Sequence, residues 1–371
     1  MIKYADLHKE YLECRKDVDA AIARCIKNSS YINGPEVLAF EQAWADHTQS
    51  RACAGVSSGT SALMLALDSL GIGPGDEVIV PTMSFISTAE VVSQLGATPV
   101  FVDIDPRYYT LDLTALPGLL NTSTKAIVFV DLYGQTLDID ALKTIAGDIP
   151  LIEDAAQSAG CQYIDRPVGD LVYATCFSFY PGKNLSAIGD AGAVTGSEEM
   201  CHLVRMLRDH GRIEKYKHLV RGWNERLDGL QAAVLHAKIP YLLEWNLRRQ
   251  EHASVYRGEL AFVTEVDLPA TNPVSSHVYN QFVITTNERD ELKQYLAHHG
   301  IETGIQFPRA MHQQPVYQTN LCLPASESLA ASCLSLPVHA QMSHRDVISV
   351  CDHIKKFFRK DYNNVHVTIS N

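Results

Sequence analysis

Four short apolar runs set the frame for this chain. Val78-Ile79-Val80, Val100-Phe101-Val102, Ile127-Val128-Phe129-Val130 and Leu151-Ile152 each stop at a proline or a carboxylate: Pro81, Asp103, Asp131 and Glu153-Asp154. Runs this short, apolar on both faces and separated by helical patterns, read as buried strands of a mostly parallel sheet covered by helices. A further strand is expected at Ala52-Cys53-Ala54-Gly55-Val56, followed by the polar turn Ser57-Ser58-Gly59-Thr60. A helix then carries Leu63, Leu67 and Leu70 on one stripe and stops at Gly71. Upstream, Leu7, Tyr11, Val18, Ile22 and Ile26 recur at roughly helical spacing. Leu38, Phe40, Trp44 and Ala45 suggest a second helix.

The pattern changes after residue 173. Residues 174–179 and 191–195 read as two strands with no helix-length spacer, joined by a Gly- and Pro-containing loop from Tyr180 to Asp190. Helices are expected to dominate from about 198 to 260, broken or kinked at Pro240. Residues 277–371 carry their own pattern: a strand over 279–285, a helix from Asp290, a strand near 301–306 and a last helix ending near Phe358. The expected organisation is a large domain over 1–240 and a smaller α/β domain over 241–371. Two domains suit 371 residues.

Composition excludes several classes. Thirty-one basic against 43 acidic residues give a net charge of −12, which opposes a general nucleic-acid binder. A phosphorylated substrate stays allowed, since a few local donors hold a phosphate. No apolar run reaches membrane-spanning length, and the first residues lack the apolar stretch of a signal peptide. A cytoplasmic protein with no membrane partner is expected. The nine cysteines are scattered without a CxxC pair, so neither a metal site nor a disulfide framework is signalled.

Three places carry chemistry. The Ser57–Ser61 turn lies between a strand and a helix. Its free N–H groups and hydroxyls suit an anion, although an ordinary helix cap uses the same residues. Asp154 ends an apolar strand, where ligands of open α/β sheets collect, and Gln157 follows three residues later. A buried carboxylate there would hold a proton on a ring nitrogen; a helix-capping role is the alternative. Lys183 sits in Ser178-Phe179-Tyr180-Pro181-Gly182-Lys183-Asn184-Leu185, a loop just past a buried strand. That position suits Schiff-base chemistry, in which a lowered pKa makes the amine nucleophilic. A lone lysine is otherwise a solvated surface residue.

Taken in order, these stretches resemble the DegT/DnrJ/EryC1/StrS family of pyridoxal-phosphate-dependent nucleotide-sugar aminotransferases. The resemblance rests on Tyr31-Ile32-Asn33-Gly34-Pro35-Glu36, Ser58-Gly59-Thr60-Ser61-Ala62-Leu63, Gly73-Pro74-Gly75-Asp76-Glu77-Val78-Ile79-Val80-Pro81, Glu153-Asp154-Ala155-Ala156-Gln157, the Ser178–Leu185 loop and Gly222-Trp223-Asn224-Glu225-Arg226-Leu227. It covers nearly the whole chain. It implies an α/β fold, the fold type I of pyridoxal-phosphate aminotransferases, with a mixed, mostly parallel sheet between helices and a smaller C-terminal α/β domain. It implies that Lys183 carries pyridoxal 5'-phosphate, that Asp154 faces the pyridinium nitrogen and that Gln157 lies near the phenolic oxygen. Gly59, Thr60 and Ser178 would cup the phosphate, and Phe85 would stack on the ring. Asn224 would reach the phosphate from the second protomer of a homodimer with shared active sites.

The resemblance also implies the substrates: an amino acid donor, L-glutamate, and a nucleotide-linked keto-deoxysugar. The work would be deoxyamino-sugar biosynthesis of the kind that feeds O-antigen and lipopolysaccharide. Tyr180 before Pro181-Gly182-Lys183, and the segment Arg208-Asp209-His210-Gly211-Arg212 followed by Tyr216, resemble members that aminate C3 of a dTDP-linked 3-keto-6-deoxyhexose. Tyr180, His210, Arg212, Tyr216 and His312 are the expected substrate contacts. Amination at C4 of an NDP-4-keto-6-deoxyhexose is the alternative. A dehydratase of the same family would have histidine in place of Lys183. A non-catalytic regulator would not need Lys183, Asp154 and Gln157 together.

Overall fold

The structure, a computed structural model, describes residues 1–317 and 319–368. Helix α1 (Leu7–Lys27) starts where the Asp6 carboxylate accepts from the Lys9 N–H at 3.2 Å, and it buries Cys14, Val18, Ala21 and Cys25 along one stripe. Helix α2 (Pro35–His47) begins on a proline, whose fixed φ suits the first turn. There follow β1 (Ala52–Val56), α3 (Gly59–Ser69), β2 (Glu77–Pro81), α4 (Ser87–Gln94), β3 (Thr98–Val102), β4 (Thr124–Val130), α5 (Ile139–Ala146) and β5 (Leu151–Asp154). After a small hairpin, β6 (Gln162–Tyr163) and β7 (Arg166–Pro167), come β8 (Ala174–Ser178) and β9 (Gly192–Gly196).

Seven of these strands form one sheet in the order β1-β9-β8-β5-β4-β2-β3. Pairing is parallel from β3 through β2, β4 and β5 to β8; β9 runs antiparallel to both β8 and β1. The alternation of the strands explains why both faces are covered. Val78, Val80, Ala126 and Val128 pack into a core with α3 and α4. Ile79, Ile127 and Phe129 pack on the other side against Ile139, Leu142 and Ala146 of α5. Helix α3 is buried from Ser61 through Leu67, which is why its apolar residues exceed a single stripe.

The chain continues through α6 (Glu198–Leu207), a hairpin of β10 (Arg212–Glu214) and β11 (Lys217–His218), α7 (Gly229–Lys238) and α8 (Leu242–Leu260). Pro240 lies in a 3₁₀ turn between α7 and α8. Helices dominate 198–260 as expected, but 208–228 is not helical. There Gly211 takes φ +66 and the backbone folds into the hairpin, a conformation that residues in a continuing helix cannot hold.

Strands β12 (Phe282–Thr285) and β13 (Cys333–Leu336) pair antiparallel, with α9 (Arg289–His298) and α10 (Pro324–Ser332) between them and α11 (His344–Thr368) at the end. Their core joins Tyr256 and Leu260 of α8, Leu292 and Leu296 of α9, and Val347, Val350 and Ile354 of α11. Residues 301–306 do not form the expected strand. Their ladder contacts are single bridges, Ile2 to Ile301 and Gly304 to Ser335, the latter on the edge of β13 that β12 leaves free. The Ile2 bridge brings the start of the chain onto this smaller core. Helix α11 runs past the expected end near Phe358. Residues 369–371, the last of the expected small domain, lie outside the described residues.

Candidate active site

Parallel strands end at one edge of a sheet, and the chain places its chemistry there. Asp154 ends β5, Ser178 ends β8, Ser57–Thr60 follow β1 and Phe85 follows β2. β9 enters at the same edge, Gly192 pairing with both Val56 and Ser178. A side chain at Gly192 has no room, since a Cβ there would lie 2.3 Å from the Ser58 carbonyl oxygen. A cavity of about 650 Å³ opens on this edge and is lined by Gly59, Thr60, Phe85, Asp154, Gln157, Ser178, Tyr180 and Lys183. These are eight of the residues singled out from the sequence.

Lys183 lies in a turn closed by its own N–H donating to the Tyr180 carbonyl at 3.0 Å, with Gly182 at φ +101. The next residue anchors the turn. Asn184 is buried; its Nδ2 donates to Asn246 Oδ1 at 2.7 Å and to the Val278 carbonyl at 3.0 Å, and its Oδ1 accepts from Asn280 Nδ2 at 2.9 Å. Burial lowers the Lys183 amine to about 8, against the opposing pull of the Asp154 charge. An amine so lowered is partly neutral near physiological pH, as a nucleophile requires.

Asp154 is buried; one oxygen accepts from the Ala156 N–H at 3.2 Å and the other from Thr88 Oγ1 at 3.1 Å. Burial raises its pKa, while the Ala156 N–H and the Lys183 charge pull it down. Among the described residues it forms no ion pair. A buried carboxylate facing a cavity with no cationic side chain bonded to it suits a protonated ring nitrogen. Gln157 accepts through Oε1 from the Tyr133 N–H at 2.6 Å, leaving its NH₂ end for a ligand. Tyr133 holds that N–H in place from the left-handed region, at φ +65.

The opposite wall is the first turn of α3. Ser58 caps it by accepting from the Ser61 N–H at 3.1 Å, and Gly59 and Thr60 open the helix beside Ser178. A Cβ on Gly59 would come within 2.7 Å of the Ser178 Cβ, so the close approach needs glycine. A helix N-terminus with small residues and a neighbouring hydroxyl suits a phosphate. Phe85 is 58% exposed, its ring 6.4 Å from that of Phe307. An amine, a buried carboxylate, an anion-binding helix start and a flanking aromatic thus share one cavity, and this set fits pyridoxal phosphate.

The remaining expected residues lie elsewhere. His210, Arg212 and Tyr216 belong to or flank the β10–β11 hairpin outside the cavity. His210 is exposed at φ +60, Arg212 Nε donates to Asp209 at 2.7 Å, and Tyr216 is 84% exposed. Asn224 is exposed and bridges to Asp209. His312 is a correction to the expected substrate contacts. Its ring is buried, with Nδ1 2.7 Å from Thr82 Oγ1 and Nε2 3.1 Å from Glu327 Oε1. Both ring nitrogens are engaged, and the ring ties the segment before α10 to the end of β2.

The sequence reading missed part of the lining: Tyr4, Arg249, Gln281 and His339. The buried face of α8 reads Trp245, Asn246, Arg249, His252, Ala253 and Tyr256. An arginine on the apolar stripe of a long helix was the available signal.

Comparison with known proteins agrees with this geometry. Residues 13–355 match the DegT/DnrJ/EryC1/StrS aminotransferase family. The dTDP-3-amino-3,4,6-trideoxy-alpha-D-glucose transaminase of Streptomyces venezuelae is 40% identical over 363 residues, covering 96% of both chains. The UDP-2-acetamido-2-deoxy-3-oxo-D-glucuronate aminotransferase of Pseudomonas aeruginosa is 37% identical over 355 residues, 95% of this chain and 99% of that one. Among solved structures, S. venezuelae DesV in complex with a ketimine intermediate superposes with a TM-score of 0.94 at 40% identity, covering 96% of this chain and 98% of that one.

Proposed function

Because the chain belongs to the DegT/DnrJ/EryC1/StrS aminotransferase family, with the fold type I architecture and pyridoxal-phosphate dependence of that family, we propose how this pyridoxal-phosphate-dependent sugar aminotransferase uses its own residues and on which substrate. The donor is L-glutamate and the acceptor a dTDP-linked 3-keto-6-deoxyhexose, which leaves as the 3-amino-3,6-dideoxy sugar. The observation that carries this reading is one cavity holding both Lys183, its amine lowered to about 8, and the buried Asp154, which has no ion-pair partner among the described residues.

When bound, the cofactor supplies an electron sink for the carbanionic stage of amino transfer. Lys183 offers Nζ as its attachment point and, once released, moves a proton from the donor's Cα. Asp154 keeps a proton on the ring nitrogen. Gln157 donates from its NH₂ end toward the phenolic oxygen. Gly59, Thr60 and Ser178 hold the phosphate, and Phe85 covers the ring.

C3 is preferred to C4 because Tyr180 lines this cavity, 58% exposed, and opens the turn that carries Lys183 three residues later. Its hydroxyl orients the sugar, and orientation governs the rate of such bimolecular steps. Both relatives described above carry names for chemistry at C3. One carries dTDP and the other UDP, so the nucleotide rests on the likeness to the first.

The working form is a homodimer with shared sites. Asn224, His210, Arg212 and Tyr216 lie outside their own chain's cavity, next to exposed Ile213, Leu219, Val220 and Trp223. Apolar exposure of this kind marks an interface, and a second copy brings the hairpin to the neighbouring cavity. The test is a panel of dTDP-, UDP- and GDP-linked 3-keto and 4-keto sugars with L-glutamate, read by product mass and NMR. Nitrogen on C3 of the dTDP sugar is expected; nitrogen on C4 overturns the regiochemistry.

A further inference from the structure

Behind the cavity two carboxyl groups meet out of water. Strand alternation sends Asp154 to the cavity and Glu153 to the opposite face of β5, beside its register partner Phe129. Asp131, the first residue after β4, and Glu153 are both fully buried, and Glu153 comes within hydrogen-bond reach of Asp131. Ser158 Oγ donates to Asp131 Oδ2 at 2.6 Å, and Thr175 Oγ1 donates to Glu153 Oε2 at 2.9 Å. Thr136 Oγ1 lies 3.4 Å from Glu153 Oε1. Among the described residues Asp131 Oδ1 has no donor, and neither carboxyl has an ion-pair partner.

Two ionised carboxylates do not share such a site, because like charges repel strongly there and each has lost its water. One proton between them removes the repulsion and supplies the donor that Asp131 Oδ1 lacks. Burial raises the pKa of both groups, and at Asp131 the Glu153 charge adds to it. The other titratable groups acting on the pair are Asp154, the exposed Lys143, Cys161 and Cys176.

The pair ties together two turns. The Asp131 N–H donates to the Asp154 carbonyl at 3.1 Å and opens the first turn, which carries Tyr133. Ser158 belongs to the second turn, which carries Gln157. The two turns meet where the Tyr133 N–H donates to Gln157 Oε1 at 2.6 Å. That contact aims the NH₂ end of Gln157, and the acid pair pins the backbone on both sides of it.

We propose that Asp131 and Glu153 share one proton, and that this clasp is a positioning device that holds Gln157 toward the cofactor's phenolic oxygen. The positioning half rests on the aminotransferase reading; the shared proton does not.

The test uses the intact, cofactor-loaded protein. Infrared spectra in heavy water near neutral pH read the carbonyl stretch of a protonated carboxylic acid, which ionised surface acids do not give. The wild type should show this band and Asp154→Asn should keep it. Asp131→Asn and Glu153→Gln should each lose it, since an amide N–H replaces the shared proton and the remaining carboxyl ionises. No band in the wild type, its loss in Asp154→Asn, or its survival in either folded amide variant overturns the shared proton. Should neither amide variant fold, a band in both the wild type and Asp154→Asn supports the pair. The pH transition of the visible absorption gives the positioning arm. Asp131→Ala should move it by about one pH unit in the direction that Gln157→Ala moves it, and Asp131→Asn should bring it back. Ser158→Ala, which cuts the tie between the pair and the Gln157 turn, should move it the same way and keeps this arm open should Asp131→Ala not fold. An unmoved transition in a folded Asp131→Ala or Ser158→Ala variant overturns the positioning role. Failure of the aminotransferase reading looks different: the wild type would take up no pyridoxal phosphate and show no visible band, while the infrared reading would stand.

Discussion

Asp154, Ser178 and Lys183 lie at or just beyond strand ends and line one cavity, with Asp154 buried in its own chain. His210, Arg212, Tyr216 and Asn224 occupy the connection between α6 and α7, where Tyr216 is 84% exposed and none of the four lines that cavity. The first set is positioned by sheet topology, since parallel strands deliver their carboxyl ends to one edge whatever the rest of the chain does. The second set is held by a two-stranded hairpin and by Asp209, which accepts from Asn33 at 3.0 Å and from Arg212 and Arg226 at 2.7 Å. The hairpin is well braced but does not line its own chain's cavity. One region lines its own chain's cavity; the other serves a second copy's cavity only if the proposed dimer forms.

The largest expected effect breaks the first region. Lys183→Ala removes both the attachment point and the proton carrier, and turnover should fall by about 10⁴-fold or more with the fold retained by circular dichroism. Near-normal transamination would remove Lys183 from the chemistry. Asp154→Asn keeps the shape but not the charge, and kcat should drop by about 10²–10³-fold. An unchanged kcat would contradict a role for the carboxylate.

Acidity sharpens the same region. Only the neutral lysine amine attacks an aldehyde, and Lys183 is lowered to about 8. Cofactor loading of the stripped protein should therefore rise by about tenfold from pH 7 to pH 9 and level off above. A rise centred near the ordinary lysine value, monitored by visible absorption, would show that burial does not tune this amine.

The strand-end site was legible in the sequence for a physical reason. Short apolar runs ending in Asp154 and in Ser178 give strand, direction and terminus together, and direction fixes which residues share an edge. The hairpin was not legible: Arg212 to His218 carries charges at spacings that suit an exposed helix, and only the positive φ of His210, Gly211 and Tyr216 prevents one. Arg249 was hidden because an arginine on a helix reads as solvated until the neighbouring element covers it. His312 was expected to touch the substrate, but Thr82 and Glu327, 230 and 15 residues away, claim both its nitrogens. Contacts at such separations leave no local signature.

A smaller effect tests the second region. Mixing Lys183→Ala with Asn224→Ala protomers should restore roughly a quarter of wild-type sites once subunits exchange, since half the dimers are mixed and each has one intact site. No recovery despite proven exchange would make each site the work of one chain. The smallest effect joins the regions at the rim. Tyr180→Phe loses one hydrogen bond, about 1 kcal/mol, and should slow the sugar half-reaction roughly fivefold with the glutamate half-reaction unchanged. Equal losses in single-turnover measurements of both halves would take Tyr180 out of the sugar site.

The central claim is that the amine at the sheet edge carries the cofactor. Loading the protein with pyridoxal phosphate, reducing with borohydride, digesting and reading peptide masses tests it directly. The cofactor mass should appear on the peptide holding Lys183 and vanish after prior exposure to L-glutamate, which frees the lysine before the reductant arrives. Label on another lysine, or no label on any peptide, would contradict the account.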